Sequence, residues 1–277
     1  MGTRFVPVAV DQHVFRQRKD AEGELFAKVL KQAGRDTGGF AQGVYLFTAE
    51  GKLLGFSNTA DAKQVKGLLE KALTKFDPSA PAPKLQRAKV GDVLPPPPSG
   101  GLILDVTAKI LGGYAADDPR GQRYLKSLGR DHLWLRKDEA EALSKGRLLE
   151  SVKERLVRYH LIDNTRGEPP MWSTAEVKKL ELTLREGRLG GIVHLENKSG
   201  ERGYQAELLG FLEAKDGKVT RFDLLAKGDF WGEANFTKGA PKGRYPFAVA
   251  FSLAEIQGGA SKVPPQGARG NLKGYLK

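Results

Sequence analysis

The chain has 277 residues, no cysteine, only four histidines, and 45 Lys and Arg against 33 Asp and Glu. Without cysteine it can form no disulfide, thiol nucleophile, CxxC redox pair, iron–sulfur cluster or cysteine-bound zinc site. The formal net charge of +12 makes binding to nucleic acid or another polyanion a candidate function, but no basic run exceeds two residues. We therefore keep polyanion binding as an alternative and do not favour it.

A proline-rich segment divides the chain. Seven of the 15 prolines lie between Pro78 and Pro98. Because proline fixes φ and removes a backbone donor, this segment cannot be a helix interior or a central strand. We predict a semi-rigid linker over residues 78–99, between a first domain of residues 1–77 and a second of residues 100–277.

The first domain is predicted to have the element order β-α-β-β-α. A short apolar run over Phe5–Val10 suits a strand, and apolar spacing predicts a helix over Arg18–Gln32. Two further strands, Gly43–Thr48 and Leu53–Phe56, flank a turn in which Gly51 supplies a positive φ. A second amphipathic helix is predicted from Asn58 to about Phe76.

The end of this domain resembles a known fold. Gly43-Val44-Tyr45-Leu46-Phe47, Gly51-Lys52-Leu53-Leu54-Gly55 and the helix containing Leu68–Leu73 resemble the C-terminal half of a thioredoxin-like domain. The resemblance covers residues 4–76 and implies a strand, a tight turn, an antiparallel strand and a closing helix. The family's CxxC would precede this stretch, and Ala41-Gln42-Gly43 stands where its cis-proline would be. The resemblance therefore implies an incomplete, redox-inactive module.

The second domain is predicted to be α+β. A strand is expected over Gly101–Leu111, and helices over Lys137–Ser144 and Arg147–Tyr159. Between about residues 178 and 254 apolar residues recur at every second position, with Asp216-Gly217 as a hairpin signal. This pattern predicts five strands in a curled antiparallel meander that closes into a partial barrel or packs on the second helix. For residues 100–277 the sequence resembles no family that we recognise.

Two polar loops are the candidate ligand sites. The first carries Asp163, Asn164, Arg166, Glu168 and Trp172 after the second helix. Loops on a rigid scaffold often carry binding sites. The alternative for these residues is a helix-ending loop with local hydrogen bonds.

The second loop follows the fourth meander strand. Its candidate residues are Asp229, Trp231, Glu233 and Tyr245, which could form an aromatic wall with acids beside it. The alternative is a tryptophan that plugs the open end of the curled sheet.

Specific catalytic motifs are missing from the sequence. It contains no GxxxxGK[ST], no GxGxxG after a strand, no HExxH and no GxSxG. We therefore expect a non-catalytic binding or accessory protein, without cofactor, metal or catalytic residue, which binds a polar ligand or a protein partner at the mouth of the sheet. The enzymatic alternative is a hydrolase that uses His160 with Asp163, Glu168, Asp229 or Glu233.

The sequence also bears on location. No apolar run approaches the ~20 residues of a membrane-spanning helix, and no charged segment with an apolar run opens the chain. The chain as given indicates the cytoplasm by default. If its start was trimmed from a longer protein, an export signal could have preceded Met1.

Overall fold

The computed structural model describes residues 4–10, 15, 18–36, 38–39, 41–59, 61–79, 95–255 and 263–277. The chain divides into two compact units, Met1–Leu94 and Pro95–Lys277. Most of the predicted linker, residues 80–94, lies outside the described residues. The described part contains six helices and nine strands, so the expected α+β class is confirmed.

The first unit contains a hairpin and two helices. Helix α1 spans Ala21–Gln32, strands β1 and β2 span Val44–Phe47 and Leu53–Ser57, and helix α2 spans Ala62–Lys75. Strands β1 and β2 pair antiparallel, and α2 contacts both. Gly51 has φ +78°, the left-handed conformation expected of it.

The strand predicted over Phe5–Val10 is wrong. These residues form no regular structure, and Val6 and Val8 are 89% and 72% exposed. Pro7 removes a backbone donor in the middle of the run, which disfavours pairing along it. Apolar composition was therefore an insufficient signal for a strand here.

The second unit is built on one antiparallel sheet of seven strands in the order β4-β3-β9-β8-β7-β6-β5. The strands are β3 Leu102–Ile110, β4 Gly129–Leu135, β5 Val177–Arg185, β6 Arg188–Glu196, β7 Gly203–Lys215, β8 Lys218–Trp231 and β9 Arg244–Leu253. Strands β5 to β9 are the predicted meander, which is confirmed. Strand β3 was also predicted, whereas β4 was not.

Helices cover one face of this sheet. They are α3 Pro119–Lys126, α4 Lys137–Ser144 and α5 Glu150–His160. The short helix α6, Leu272–Tyr275, instead packs on Trp134 of strand β4 in a separate small cluster. Helix α4 contacts β7 and β8, and α5 contacts β4 and β5, which are the two edge strands. The sheet therefore curls around the helices, and in the described residues it does not close into a barrel.

Two glycines allow the backbones of neighbouring strands to approach closely. At Gly191 on β6, an added Cβ would lie 1.6 Å from the carbonyl oxygen of Glu181 on β5. At Gly228 on β8, an added Cβ would lie 1.9 Å from the carbonyl oxygen of Gln205 on β7. Glycine inside a strand often marks such an approach of two backbones.

The two faces of the sheet differ in burial. We call the face that packs on α4 and α5 the inner face, and its side chains form one core with the helices. This core includes Phe222, Leu224, Ala226, Phe247, Val249, Phe251, Val152, Leu156 and Val157. The opposite face, which we call the outer face, consists of the alternate residues of each strand.

Candidate functional site

The first predicted loop is organised around a buried carboxylate. Asp163 is 1% exposed, and its Oδ2 accepts hydrogen bonds from Arg166 Nη2 at 2.6 Å and from the Tyr245 hydroxyl at 2.9 Å. Its Oδ1 accepts from the Thr165 hydroxyl at 2.6 Å. The chain thus supplies the partners for this carboxylate, and a ligand would have to displace them to reach it.

These contacts also shift the ionisation of the partners. Burial raises the pKa of Tyr245, and the negative charge of Asp163 raises it further, so this hydroxyl remains a donor. Burial lowers the pKa of Arg166, but the charge of Asp163, the hydrogen bond to it and the neighbouring tyrosines together outweigh that effect, and the pKa ends above its ordinary value. Nearby, burial raises the pKa of Tyr114 to about 12. The cluster is therefore a fixed ion pair with a neutral tyrosine.

The two predicted loops meet at this cluster. Arg166 Nη1 donates to the carbonyl oxygen of Thr237, which lies in the loop between β8 and β9. In that loop Glu233 accepts from the Gly239 backbone amide at 2.8 Å and pairs with Lys238 at 3.0 Å. Arg166 therefore links the two loops.

Trp172 fills the core rather than lining an opening. It is 1% exposed, and its Nε1 donates to the carbonyl oxygen of Leu161 at 2.8 Å. The guanidinium of Arg202 lies 3.9 Å from the centre of its ring. Arg202 is itself buried, and loss of solvation lowers its pKa.

The other predicted residues are dispersed. Glu168 is on the surface and pairs with Arg269, whereas Oδ1 of Asn164 is buried without a hydrogen-bond partner among the described residues. Asp229 and Trp231 project from the outer face of β8. The guanidinium of Arg244 covers Trp231 and lies 3.9 Å from the centre of its ring. Trp231 therefore stays on the outer face and does not enter the core on the inner face.

His160 has partners other than the acids of the hydrolase alternative. Its Nε2 lies 2.8 Å from the hydroxyl of Tyr275, and its Nδ1 lies 3.3 Å from Asp131. Asp163 and Glu233 make the separate contacts described above. Among the described residues there is also no cluster of three or more His, Cys, Asp or Glu able to hold a metal ion.

A surface that lies outside the two predicted loops is found on the outer face. The register of the sheet places one residue from each of β5 to β9 in a single row, which we call the central row: Thr183, Gly190, Leu209, Leu225 and Ala250. Leu209 is 63% exposed and Leu225 is 41% exposed. A groove of about 850 Å³ runs along this row.

Two further rows flank the central row. The arginine row consists of Arg185, Arg188, Phe211, Asp223 and Ser252. The glutamate row, on the other side, consists of Glu181, Ile192, Glu207, Lys227 and Ala248. The groove is lined by the central row and the arginine row, and by Glu186 at the turn between β5 and β6.

Most charged side chains of the flanking rows could pair with a binding partner. No ion pair with a described residue is formed by four of them: Arg185, Arg188, Glu207 and Lys227. Arg188 lies 5.8 Å from the ring centre of Phe211. In contrast, Asp223 pairs with Arg221 and Glu181 pairs with Lys179. The outer face thus combines an apolar centre with charged margins of both signs.

The signal for this surface was present in the sequence. Leu208-Leu209 and Leu224-Leu225 interrupt the alternation of their strands with apolar residues on both faces. The outer face of an antiparallel sheet is normally polar when water covers it. Two adjacent leucines in such a strand therefore indicate an apolar position on the outer face.

Comparisons with protein-family models, curated proteins and solved structures found no match to this chain. The described helices also include none that is long and apolar enough to cross a membrane.

Proposed function

We propose that this chain is a non-catalytic binding protein and that the outer face of its seven-stranded sheet is the binding surface. The observation that carries the proposal is the group of four large apolar side chains exposed at neighbouring positions: Ile192, Leu209, Phe211 and Leu225. Contiguous exposed apolar surface is uncommon on monomeric proteins and often marks an interaction site.

Energetics support a binding role for this surface. Burying one leucine or phenylalanine side chain stabilises a complex by roughly 1.5–3 kcal/mol relative to leaving it exposed. The charged margins then add orientation and specificity, since ionic contacts across an interface discriminate between partners. This combination resembles the apolar centre and polar rim of protein interfaces.

The first unit belongs to this proposal as an accessory module. We propose that it is a redox-inactive, incomplete thioredoxin-like module. Support comes from the order of β1, the Gly51 turn, β2 and α2, together with the absence of cysteine from the sequence. In this proposal partner binding is assigned to the second unit.

Leu209→Lys tests the proposed surface. We expect an anilinonaphthalene sulfonate dye to bind the dilute protein saturably, and the variant to weaken that binding about tenfold, as loss of a ~1.5 kcal/mol apolar contact implies. The measurement is a fluorescence titration of the full chain. Leu128→Lys is the matched control, because Leu128 is 44% exposed and lies outside the sheet. Unchanged dye affinity in Leu209→Lys would count against the proposal.

A further inference from the structure

We infer that a second copy of this chain binds the outer face, with outer face against outer face, about a two-fold axis that runs along the central row. This inference deepens the proposed function and rests on it. Its basis is the sequence of charges along the strands, read in the register of the sheet.

The geometry of a two-fold pair fixes which rows meet. When two identical faces oppose each other, the two-fold axis must lie in the plane between them. An axis along the central row lays that row on itself. It also lays the arginine row of one copy over the glutamate row of the other, with each strand opposite the same strand.

The charges that meet in this arrangement are complementary. On β5, Glu181 of one copy faces Arg185 of the other, because both lie two residues from Thr183. On β8, Lys227 faces Asp223 of the second copy, because both lie two residues from Leu225. The symmetry repeats each contact, so these two strands contribute four contacts between opposite charges.

Strands β6 and β7 provide a third kind of contact. Glu207 faces Phe211 of the second copy, and Arg188 is the cross-strand neighbour of that phenylalanine. Arg188 also lies over the Phe211 ring, at 5.8 Å from its centre, where it can meet the incoming carboxylate. This places one of the arginines without an ion pair beside a glutamate without an ion pair.

Apolar contacts occupy the centre. Leu209 and Leu225 each face their own counterpart, while Gly190 and Ala250 leave space beside them in the same row. The alternative in-plane axis, along β7, would instead lay Glu207 over its own counterpart, which opposes like charges and is unfavourable. In that arrangement only Arg188 would face an opposite charge, on Asp223 of the second copy.

The surface is also large enough. Five strands at ~4.8 Å spacing and about nine residues of ~3.3 Å each give a face of roughly 700 Å² per copy. Stable specific interfaces bury about 800 Å² per partner. Two such faces would pack about 10 Å apart, a distance that Glu and Arg side chains can span.

A charge exchange tests the inference directly. Sedimentation velocity of the full chain should show a dimer that dissociates on dilution. Glu181→Arg and Arg185→Glu should each weaken it by about tenfold or more, because each places like charges opposite one another. The double variant restores opposite charges in reversed order and should recover most of the wild-type affinity. Leu209→Asp should give a monomer, and Leu128→Asp should leave the dimer intact.

The outcomes separate this inference from the proposed function. A monomer at every concentration that still binds the dye through Leu209 overturns the dimer and leaves the binding surface. A monomer that binds no dye overturns both. A dimer that persists in Leu209→Asp, or that the double charge exchange does not recover, must use another surface and overturns the inference. Circular dichroism establishes whether each variant is folded. If Leu209→Asp does not fold, the charge exchange alone decides whether the outer face forms the dimer.

Discussion

Arg155→Met is expected to lower the free energy of unfolding by about 3–5 kcal/mol, because it leaves a buried carboxylate without its main counter-charge. Glu139, at the start of α4, is completely buried. Arg155 donates to its two oxygens at 2.7 and 3.0 Å. Urea unfolding at pH 7, followed by tryptophan fluorescence, measures the loss.

Arg155 has a second role that increases this cost. Its Nε donates to the carbonyl oxygen of Tyr275 at 2.7 Å, and its Nη1 donates to that of Trp134 at 3.3 Å. Trp134 lies on the edge strand β4, and Tyr275 belongs to the C-terminal segment that packs on it. Removal of the guanidinium therefore also loosens the C-terminal segment that covers the edge strand β4.

The double variant Glu139→Leu with Arg155→Met is the control. Replacing both charges by apolar groups also removes the buried carboxylate that has lost Arg155, so we expect most of the stability to return. If the single variant lost less than about 1 kcal/mol, the pair would behave like an exposed one and the expectation would be wrong.

Acid should reveal the same pair. Burial raises the pKa of Glu139, but hydrogen bonds from Arg155, Ser151 and the Arg136 backbone, together with the charge of Arg155, outweigh it, and the pKa lies below its ordinary value of 4.5. A lowered folded-state pKa stabilises the fold above the unfolded pKa, and this contribution is lost as the pH falls through the folded value. Between pH 6 and pH 3 the wild type should therefore lose more stability than the double variant.

Local patterns in the sequence predicted the meander well. Alternation identified β5 to β9, and Asp216-Gly217 indicated the hairpin between β7 and β8, where both residues have positive φ. Helix α4 has the predicted bounds, and α5 begins three residues later than expected. Each of these features depends on residues that are close in sequence.

Features set by distant residues were not predictable in the same way. Strand β4 has only one short apolar run, Leu133–Leu135, and depends on pairing with β3. The central row depends on the register of four strand pairs, and a shift of one residue would move Leu209 and Leu225 to the inner face. Sequence alternation reveals the period of a strand but not its register.

The first loop shows how burial changes the meaning of a motif. Asp163 and Arg166 are close in sequence, and such residues suit either a ligand site or an internal ion pair. The choice depends on Tyr245, which is 82 residues away and donates to Asp163. Because these groups lie inside the protein and satisfy one another, we assign them a structural role within the proposed function.

Arg166→Met tests that assignment and should lower the free energy of unfolding by about 3–5 kcal/mol. Asp163 would keep its hydrogen bonds from Thr165 and Tyr245 but would become a buried charge without a cation. The link from Arg166 to Thr237 in the second loop would also be lost. Thermal and urea unfolding of the full chain provide the measurement.

The control comes from the same loop. Glu168→Gln removes an acid whose partner, Arg269, is on the surface, so its effect should stay below about 1 kcal/mol. A structural role further requires that folded Arg166→Met protein binds the dye at the outer face as the wild type does. If the variant kept its stability and lost dye binding, Arg166 would belong to the binding surface, and the assignment of function to the outer face would have to include the loops.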